Sequence, residues 1–269
     1  MDPLIEGAFQ ARGLGFAVAG RPLLADVDLG VAKGRVLGLI GHNGSGKSTL
    51  MKLLARQIAP TTGEVSLDGR PLAAWGDRAF GRKVAYLPQT PPAAAGMTVR
   101  ELVRLGRYPW HGALGRFSRR DADRVDAALA ATDTTRYADR MVDSLSGGER
   151  QRVWIAMLVA QDADFMLLDE PISALDIAHQ IEVLDLVHRL ARGGGTDRTG
   201  QGPGVVVILH DVNMAARFCD DILALKSGRV LLRGSPADLM TEDALARIYG
   251  VRMGILPHPA GGWPVGFVY

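Results

Sequence analysis

Short apolar runs alternate along the chain with segments in which apolar side chains recur at helical spacing. The runs at Val36–Ile40, Phe165–Leu168 and Val205–Leu209 are uninterrupted and rich in branched side chains. Such runs are typical of strands buried on both faces of a parallel sheet. Each is followed by polar or glycine-containing residues and then by a helical pattern. The pattern predicts an α/β fold with a parallel core.

Two segments near the front, about residues 7–33 and 62–70, have the pattern of antiparallel strands, with turns at Ala19-Gly20 and Asp68-Gly69. Lys226-Ser227-Gly228 separates two more apolar runs and predicts another hairpin. A small antiparallel β part is therefore expected beside the parallel core.

The pattern becomes mostly helical between Thr98 and Gln161. Thr98 and Glu101 have the spacing of a capping box, which opens a helix. We therefore predict a helical subdomain over residues 98–161, inserted within a single domain spanning residues 1–269. Six glycines among the twelve residues Gly193–Gly204 predict a flexible surface loop.

Composition narrows the class of protein. Hydrophobic residues make up 47% and charged residues 22%, as in globular domains, and a net charge of +2 gives no basis for bulk nucleic-acid binding. The single cysteine, Cys219, excludes an intrachain disulfide and favours a packing role in a reducing compartment. The longest apolar run, Val153–Ala160, is shorter than the ~20 residues of a membrane span, and Met1–Gln10 lacks a signal-peptide core. We expect a soluble protein, or one held at a membrane by a partner.

Residues 41–48 fit the phosphate-loop pattern G-x-x-x-x-G-K-[ST]. A buried strand precedes them and a helix, predicted over Thr49–Gln57, follows, which argues against a chance glycine-rich turn. Lys47 is expected to reach the β- and γ-phosphates of ATP, and the Ser48 hydroxyl to hold Mg²⁺. The predicted nucleotide-binding residues here are Gly41, His42, Asn43, Gly44, Ser45, Gly46, Lys47, Ser48 and Thr49.

Two further motifs carry candidate chemistry. The run Phe165–Leu168 ends in Asp169 and Glu170, which are predicted to hold the metal and to act as general base; alone, such a pair could equally face solvent. In the stretch Leu145–Gln151, Ser146 and Glu149 form a capping box, and Gly147 and Gly148 leave N–H groups exposed at a positive helix end. A second phosphate site is one interpretation, and a merely well-capped helix is the other.

These three motifs, in this order, resemble the ATP-binding cassette of ABC transporters over nearly the whole chain. Gln89, after Tyr86-Leu87-Pro88, resembles the hinge glutamine that senses Mg²⁺ and the membrane partner. Asp176 closes a stretch that resembles the loop crossing the dimer interface, and His210 resembles the switch histidine at the γ-phosphate. The resemblance implies three sets of site residues. They are catalytic Glu170, His210 and Lys47; metal-binding Ser48, Gln89 and Asp169; and, beyond the phosphate loop, nucleotide-binding Gln89, Ser146, Gly147, Gly148, Asp169 and Asp176.

The same resemblance implies partners. Two copies would pair head to tail around two ATP molecules, with the Ser146 loop of one facing the phosphate loop of the other. Grooves near Gln89 and the Thr98–Arg116 segment would hold helices of a membrane permease at the cytoplasmic face of the inner membrane. A periplasmic or surface siderophore-binding protein would take part indirectly, and no nucleic acid is expected.

Narrower stretches resemble iron-chelate importers, namely Gly106–Gly112, Asp176–Gln180 and His210–Ala216. The tail after Ile248 looks closest to the ferric-hydroxamate branch. Import of ferric hydroxamates is therefore expected, with a haem, cobalamin or other siderophore importer as the alternative. Soluble cassette proteins of translation or DNA repair usually carry two cassettes or a long coiled coil, which this sequence lacks. A regulatory module without turnover is disfavoured by Glu170 and His210.

Two positions depart from the family pattern. Ile172 replaces the threonine usual after the acidic pair and proline, which we expect to alter only hydrogen bonding around the site. Val18 stands where an aromatic ring commonly stacks on adenine, with Phe16 two residues earlier on the same strand face.

Overall fold

The computed structural model describes residues 8–112, 115–194 and 201–269. Backbone contacts divide the chain into two compact units. The first comprises the residues up to Ala74 and those from Gly204 onward, and the second runs from Trp75 to Pro203.

The strands, in chain order, are β1 Phe9–Val18, β2 Arg21–Val31, β3 Val36–Ile40, β4 Thr62–Leu67, β5 Arg70–Pro71, β6 Val84–Leu87, β7 Phe165–Leu168, β8 Gly204–Ile208, β9 Asp221–Lys226, β10 Arg229–Gly234, β11 Met253–Pro257 and β12 Pro264–Val268. The α-helices are α1 Lys47–Leu54, α2 Asp77–Gly81, α3 Val99–Leu105, α4 Tyr108–His111, α5 Arg119–Ala131, α6 Gly147–Gln161, α7 Ile177–Ala191, α8 Val212–Phe218, α9 Pro236–Leu239 and α10 Glu242–Tyr249. Within the described residues, none of the helices has the length and apolar character needed to cross a membrane.

The first unit contains a mainly parallel group of strands in the order β10-β9-β3-β8. β3 and β8 run parallel, and every residue in both is buried, which explains their uninterrupted apolar sequences. β2, β1, β4 and β5 form a separate antiparallel sheet. The α/β fold with a parallel core and a small antiparallel part is confirmed.

The predicted hairpin turns are also present. Ala19 and Gly20 have φ angles of 48° and 77°, the left-handed pair that a two-residue hairpin turn requires. Asp68-Gly69 and Ser227-Gly228 share this geometry, with φ values of 50° and 72° and of 50° and 76°. Glycine in each second position avoids the steric cost of positive φ.

Two sequence expectations need correction at their bounds, and one hairpin was not predicted. The helix predicted over Thr49–Gln57 is α1, which begins at Lys47 and ends at Leu54, since the chain turns left-handed at Arg56 with φ 56°. In the glycine-rich stretch, residues 195–200 lie outside the described residues, and Gly204 already belongs to β8. The β11–β12 hairpin was not predicted at all, because its glycines and prolines hide any strand alternation.

The second unit pairs β6 with β7 in parallel and packs α3, α5 and α6 against one another. Capping boxes open α3 at Thr98, α5 at Ser118 and α6 at Ser146, as the sequence predicts for the first and third. The regular elements described between residues 98 and 161 are helical. That they form an inserted subdomain with these bounds stays a prediction.

The stretch Gly106–Gly112 has a structural explanation. An added Cβ on Gly106 would lie 2.2 Å from the Met157 carbonyl oxygen, so only glycine allows this approach to α6. The Arg107 guanidinium donates to the Ala160 carbonyl at 2.7 Å, and the Trp110 indole N–H donates to the Gln161 carbonyl at 2.7 Å. The stretch therefore holds α4 against the carboxyl end of α6.

Arg107 also forms a buried ion pair. Its Nε lies 2.9 Å from Asp121 Oδ1, and the two side chains are only 4% and 8% exposed. Asp121 is at the same time the capping-box acid of α5, since its other oxygen accepts from the Ser118 N–H and hydroxyl. One carboxylate thus joins the start of α5 to α4.

Cys219 is buried at the end of α8. An added Cβ on Gly38, in the middle of β3, would lie 2.7 Å from the Cys219 sulfur, so the thiol fills the space that this glycine leaves. Burial raises the pKa of the thiol, and the negative charges of Asp220 and Asp221 raise it further. The thiol is a packing group, as the sequence suggested.

Candidate active site

The phosphate-loop pattern folds into a tight loop between β3 and α1. Gly41, Gly44 and Gly46 have φ angles of 139°, 76° and 104°, a region that favours glycine. An added Cβ on Gly41 would lie 2.2 Å from the Leu225 carbonyl oxygen, and one on Gly46 would lie 2.6 Å from a Leu24 methyl. The glycines of the motif are therefore required by this backbone path.

Lys47 lies at the centre of that loop. The residue is 5% exposed, and its ammonium donates to the carbonyl oxygens of Gly41 at 2.7 Å and His42 at 2.9 Å. The Ser45 hydroxyl is buried and makes no hydrogen bond. A buried cation and a buried hydroxyl beside a helix start suit the phosphates of a nucleotide.

His210 lies at the same end of this sheet as the phosphate loop. The Leu209 N–H donates to the Leu39 carbonyl at 3.1 Å, which continues the parallel β3–β8 pairing to the point where both strands end. Asp211 then caps α8 by accepting from the Asn213 N–H at 2.7 Å. Within the first unit, the phosphate loop with Lys47 and Ser48 and the residue His210 thus follow the carboxyl ends of two adjacent parallel strands, β3 and β8.

The second unit brings together the acidic pair and the hinge glutamine. Gln89 follows β6 and Glu170 follows β7, and the Gln89 amide donates to the Glu170 carboxylate at 2.7 Å. Glu170 has φ 51°, an uncommon conformation for a residue other than glycine. That backbone turn separates its side chain from the buried Asp169 next to it.

Tyr86 contacts Asp169, and the sequence analysis did not predict this interaction. Burial, followed by the charge of Asp169 and a hydrogen bond to it, raises the pKa of Tyr86 to about 12. The hydroxyl therefore stays protonated and can donate its hydrogen bond to Asp169, which orients that carboxyl group. Its position on β6, three residues before Gln89, was the available signal.

The predicted second phosphate loop begins α6 in the same unit. Ser146 and Glu149 form the expected capping box, with the Ser146 N–H donating to Glu149 at 2.9 Å. Hydrogen bonds lower the pKa of Glu149 to about 2; the largest effect comes from Tyr137 and the next from Ser146. Ser146 and Gly147 are exposed while Gly148 is buried, so the tip of the loop faces solvent.

A cavity of about 360 Å³ in this unit connects these motifs. Gln89, Glu170, Gly147, Arg150 and Leu175 are among the residues that line it. The hinge glutamine, the general-base candidate, the start of α6 and the loop before Asp176 therefore meet around one space. Asp176 itself caps α7, accepting from the His179 N–H at 2.9 Å.

The three predicted metal ligands carry oxygen atoms of the kind that Mg²⁺ binds. Ser48, Gln89 and Asp169 offer hydroxyl, amide and carboxylate oxygens, which are the hard ligands that Mg²⁺ takes in small numbers while keeping water and phosphate oxygens. The first of these lies in the first unit and the other two in the second. Their roles as metal ligands stay predictions.

Comparison with known proteins agrees with this arrangement. The profile of the ABC transporter family matches residues 24–173. The achromobactin transport ATP-binding protein of Dickeya dadantii is 42% identical over 94% of this chain and 91% of its own length. The iron(3+)-hydroxamate import ATP-binding protein of Bacillus subtilis is 39% identical, with coverages of 95% and 93%. The hemin import ATP-binding protein of Nocardia farcinica is 43% identical, with coverages of 96% and 88%.

Solved structures are similar as well. An inward-facing metal-chelate-type ABC transporter superimposes with a TM-score of 0.82 and 25% identity, covering 97% of each chain. A dimeric bacterial ABC transporter cassette gives a TM-score of 0.70 and 27% identity, covering 84% of this chain and 98% of its own.

Proposed function

Because the chain belongs to the ABC transporter family and is an ATPase of that family, we propose that it powers the import of ferric hydroxamate siderophores. Its relatives place it among the ATPase subunits of iron-siderophore and hemin importers. The observation that carries the catalytic part is the cluster of Gln89, Asp169 and Glu170 at the ends of β6 and β7.

The residues of this chain divide the chemistry as follows. Lys47 and the loop N–H groups bind the phosphates of ATP, and His210 contacts the γ-phosphoryl group as it is transferred to water. Mg²⁺, when bound, neutralises charge on the β- and γ-phosphates. Glu170 accepts a proton from the attacking water, which forms the bond to phosphorus as the bond to ADP breaks.

The Gln89–Glu170 hydrogen bond supports this assignment. It holds the Glu170 carboxylate in one orientation. If Gln89 offered its amide oxygen to Mg²⁺, its N–H would leave that carboxylate. Binding of Mg²⁺–ATP would therefore release the base at the moment when a base is needed.

The active form is a cassette dimer. The exposed Ser146 and Gly147 at the start of α6 suit a γ-phosphate carried by the second copy. Closure around ATP and reopening after hydrolysis drive a membrane permease, whose helices occupy grooves near Gln89 and the Thr98–Arg116 segment. This assembly places the chain at the cytoplasmic face of the inner membrane as a peripheral subunit.

Glu170→Gln tests the catalytic assignment. The amide is nearly isosteric but cannot accept the proton, so ATP binding should persist while steady-state hydrolysis is lost. ATP should then trap a stable dimer, visible by gel filtration. Glu182→Gln, an exposed carboxylate on α7, is the matched control and should hydrolyse ATP normally. Turnover at the wild-type rate in Glu170→Gln would rule out the general-base role.

Uptake of radiolabelled iron tests the substrate. Cells lacking this protein should fail to take up iron as ferrichrome while still using haem and ferric catecholates. Expression of the wild-type chain should restore uptake, and Lys47→Ala should not.

The hemin-import relative of Nocardia farcinica, at 43% identity, favours a second candidate, a haem importer. Lost haem uptake with unimpaired ferrichrome uptake would select that function over ferric hydroxamates.

A further inference from the structure

The imidazole of His179 lies directly against the start of α6. An added Cβ on Gly148 would lie 2.2 Å from His179 Cδ2 and 2.7 Å from its Cγ. An added Cβ on the neighbouring Gly147 would lie 3.6 Å from a Leu175 methyl, which is an ordinary van der Waals contact. The two glycines therefore differ: Gly148 is glycine because a ring occupies the place of its side chain.

Asp176 fixes the orientation of that ring. His179 Nδ1 lies 2.8 Å from Asp176 Oδ1, and the same oxygen accepts the His179 backbone N–H at 2.9 Å. Because a carboxylate only accepts hydrogen bonds, Nδ1 carries the proton. The ring is therefore held by a hydrogen bond to Asp176 through Nδ1 and by a packing contact with Gly148 on its Cγ–Cδ2 side.

The next residue holds the other side of the same loop. Gln180 donates to the carbonyl oxygens of Leu175 at 3.0 Å and Ile172 at 3.3 Å. The Ser173 hydroxyl donates to the Glu170 carbonyl at 3.2 Å. A continuous set of contacts thus runs from Glu170 through the Asp176 loop to Gly148, all within the second unit.

From these contacts we infer that His179 is a positioning residue, which sets the start of α6 against the loop that ends at Asp176. The inference rests on the proposed function, in which both surfaces engage the second copy around ATP. His179 touches neither nucleotide nor metal in this scheme. His179 keeps the start of α6 and the loop that ends at Asp176 in a fixed relative position. Both surfaces can therefore contact the second copy at the same time.

Two substitutions separate the two contacts of the ring. His179→Phe keeps a flat ring on Gly148 and loses the donor to Asp176. His179→Asn keeps a donor at the position of Nδ1 and loses the ring, and His179→Ala loses both. Glu182→Gln is the control, because it removes only the negative charge from the exposed contact with Arg152 between the same two helices.

The first measurement is hydrogen–deuterium exchange of the nucleotide-free chain. His179→Ala should speed exchange in the peptide that covers Ser146–Arg152, with His179→Phe and His179→Asn intermediate. Glu182→Gln should exchange there as wild type does. Unchanged exchange of this peptide in His179→Ala would overturn the inference, whatever the protein does with ATP.

The second measurement is ATP-driven dimer formation in the Glu170→Gln background. His179→Ala should weaken it by about tenfold, which is within the range of coupling between residues in contact. The affinity of the single chain for a fluorescent ATP analogue should not change, a split that a general loss of folding would not produce. Equal dimer formation with and without His179→Ala would also overturn the inference. If Glu170→Gln alone fails to dimerise with ATP, the proposed function fails instead, and the exchange experiment still decides the role of His179.

Discussion

Replacement of Asp121 by asparagine should destabilise the second unit strongly. The change keeps the shape of the side chain and much of the α5 cap but leaves the Arg107 charge buried without its counter-ion. Arg107 is 4% exposed, so water cannot solvate it in place. Breaking a buried pair from one side costs about 3–5 kcal/mol of unfolding free energy.

The pKa of Asp121 gives a partial check on that figure. Burial pushes it upward, but hydrogen bonds from Ser118 and Arg107, together with the Arg107 charge, outweigh burial and lower the pKa from 3.8 to about 2. A shift of this size corresponds to about 2 kcal/mol. Because the pKa is lowered in the folded state, this stability is fully present above about pH 4 and is lost as the pH falls toward 2.

Urea denaturation at pH 7, followed by circular dichroism, measures the loss. Asp126→Asn is the control on the same helix, since Asp126 is 59% exposed in its pair with Arg100 and should cost less than ~1 kcal/mol. The difference in free energy of unfolding between wild type and Asp121→Asn should become smaller as the pH falls from 4 to 2. Equal, small losses in the two variants would show that the buried pair is not a stabilising contact.

Four further predictions concern the nucleotide. Lys47→Ala should weaken ATP binding at least about tenfold, since the phosphates lose a buried cation, and an unchanged affinity by titration would contradict the phosphate-loop assignment. Chelation of Mg²⁺ by EDTA should abolish turnover, because Ser48 and Gln89 are assigned as its ligands; activity that persists would exclude them. Val18 is 51% exposed at the end of β1, so Val18→Tyr should tighten ATP binding several-fold by adding part of the ~1–3 kcal/mol of base stacking. We also expect the wild type to discriminate weakly between ATP and GTP. A large loss in Phe16→Ala without a gain in Val18→Tyr would assign the base contact to Phe16 instead.

The sequence predicted those parts of the fold that depend on local rules. β3 and β7 have the predicted bounds, because a strand buried on both faces must be apolar at every position. The capping boxes of α3 and α6 form as predicted, since they need only residues three positions apart. The glycines of the phosphate loop have the conformations that their motif requires.

Local sequence patterns could not predict contacts between residues that are far apart in the chain. The β11–β12 hairpin is held by Asn213, whose amide bonds both the N–H and the carbonyl of Gly266. The ring of His179 reaches a glycine 31 positions earlier in the chain, which no periodicity indicates. The bond from Gln89 to Glu170 likewise joins residues 81 positions apart. Such contacts depend on tertiary placement, and they are the ones that shape the candidate site.

The buried thiol of Cys219 has a practical consequence for spectroscopy. As the single cysteine of the chain, filling the space beside Gly38, it should resist maleimide reagents while the first unit is folded. Cysteines introduced on the surface, for instance at the exposed Ser173, can therefore be labelled with fluorophore pairs without first removing the native one. In denaturant, the rate at which the same thiol is modified should report how often the contact between β3 and the end of α8 opens.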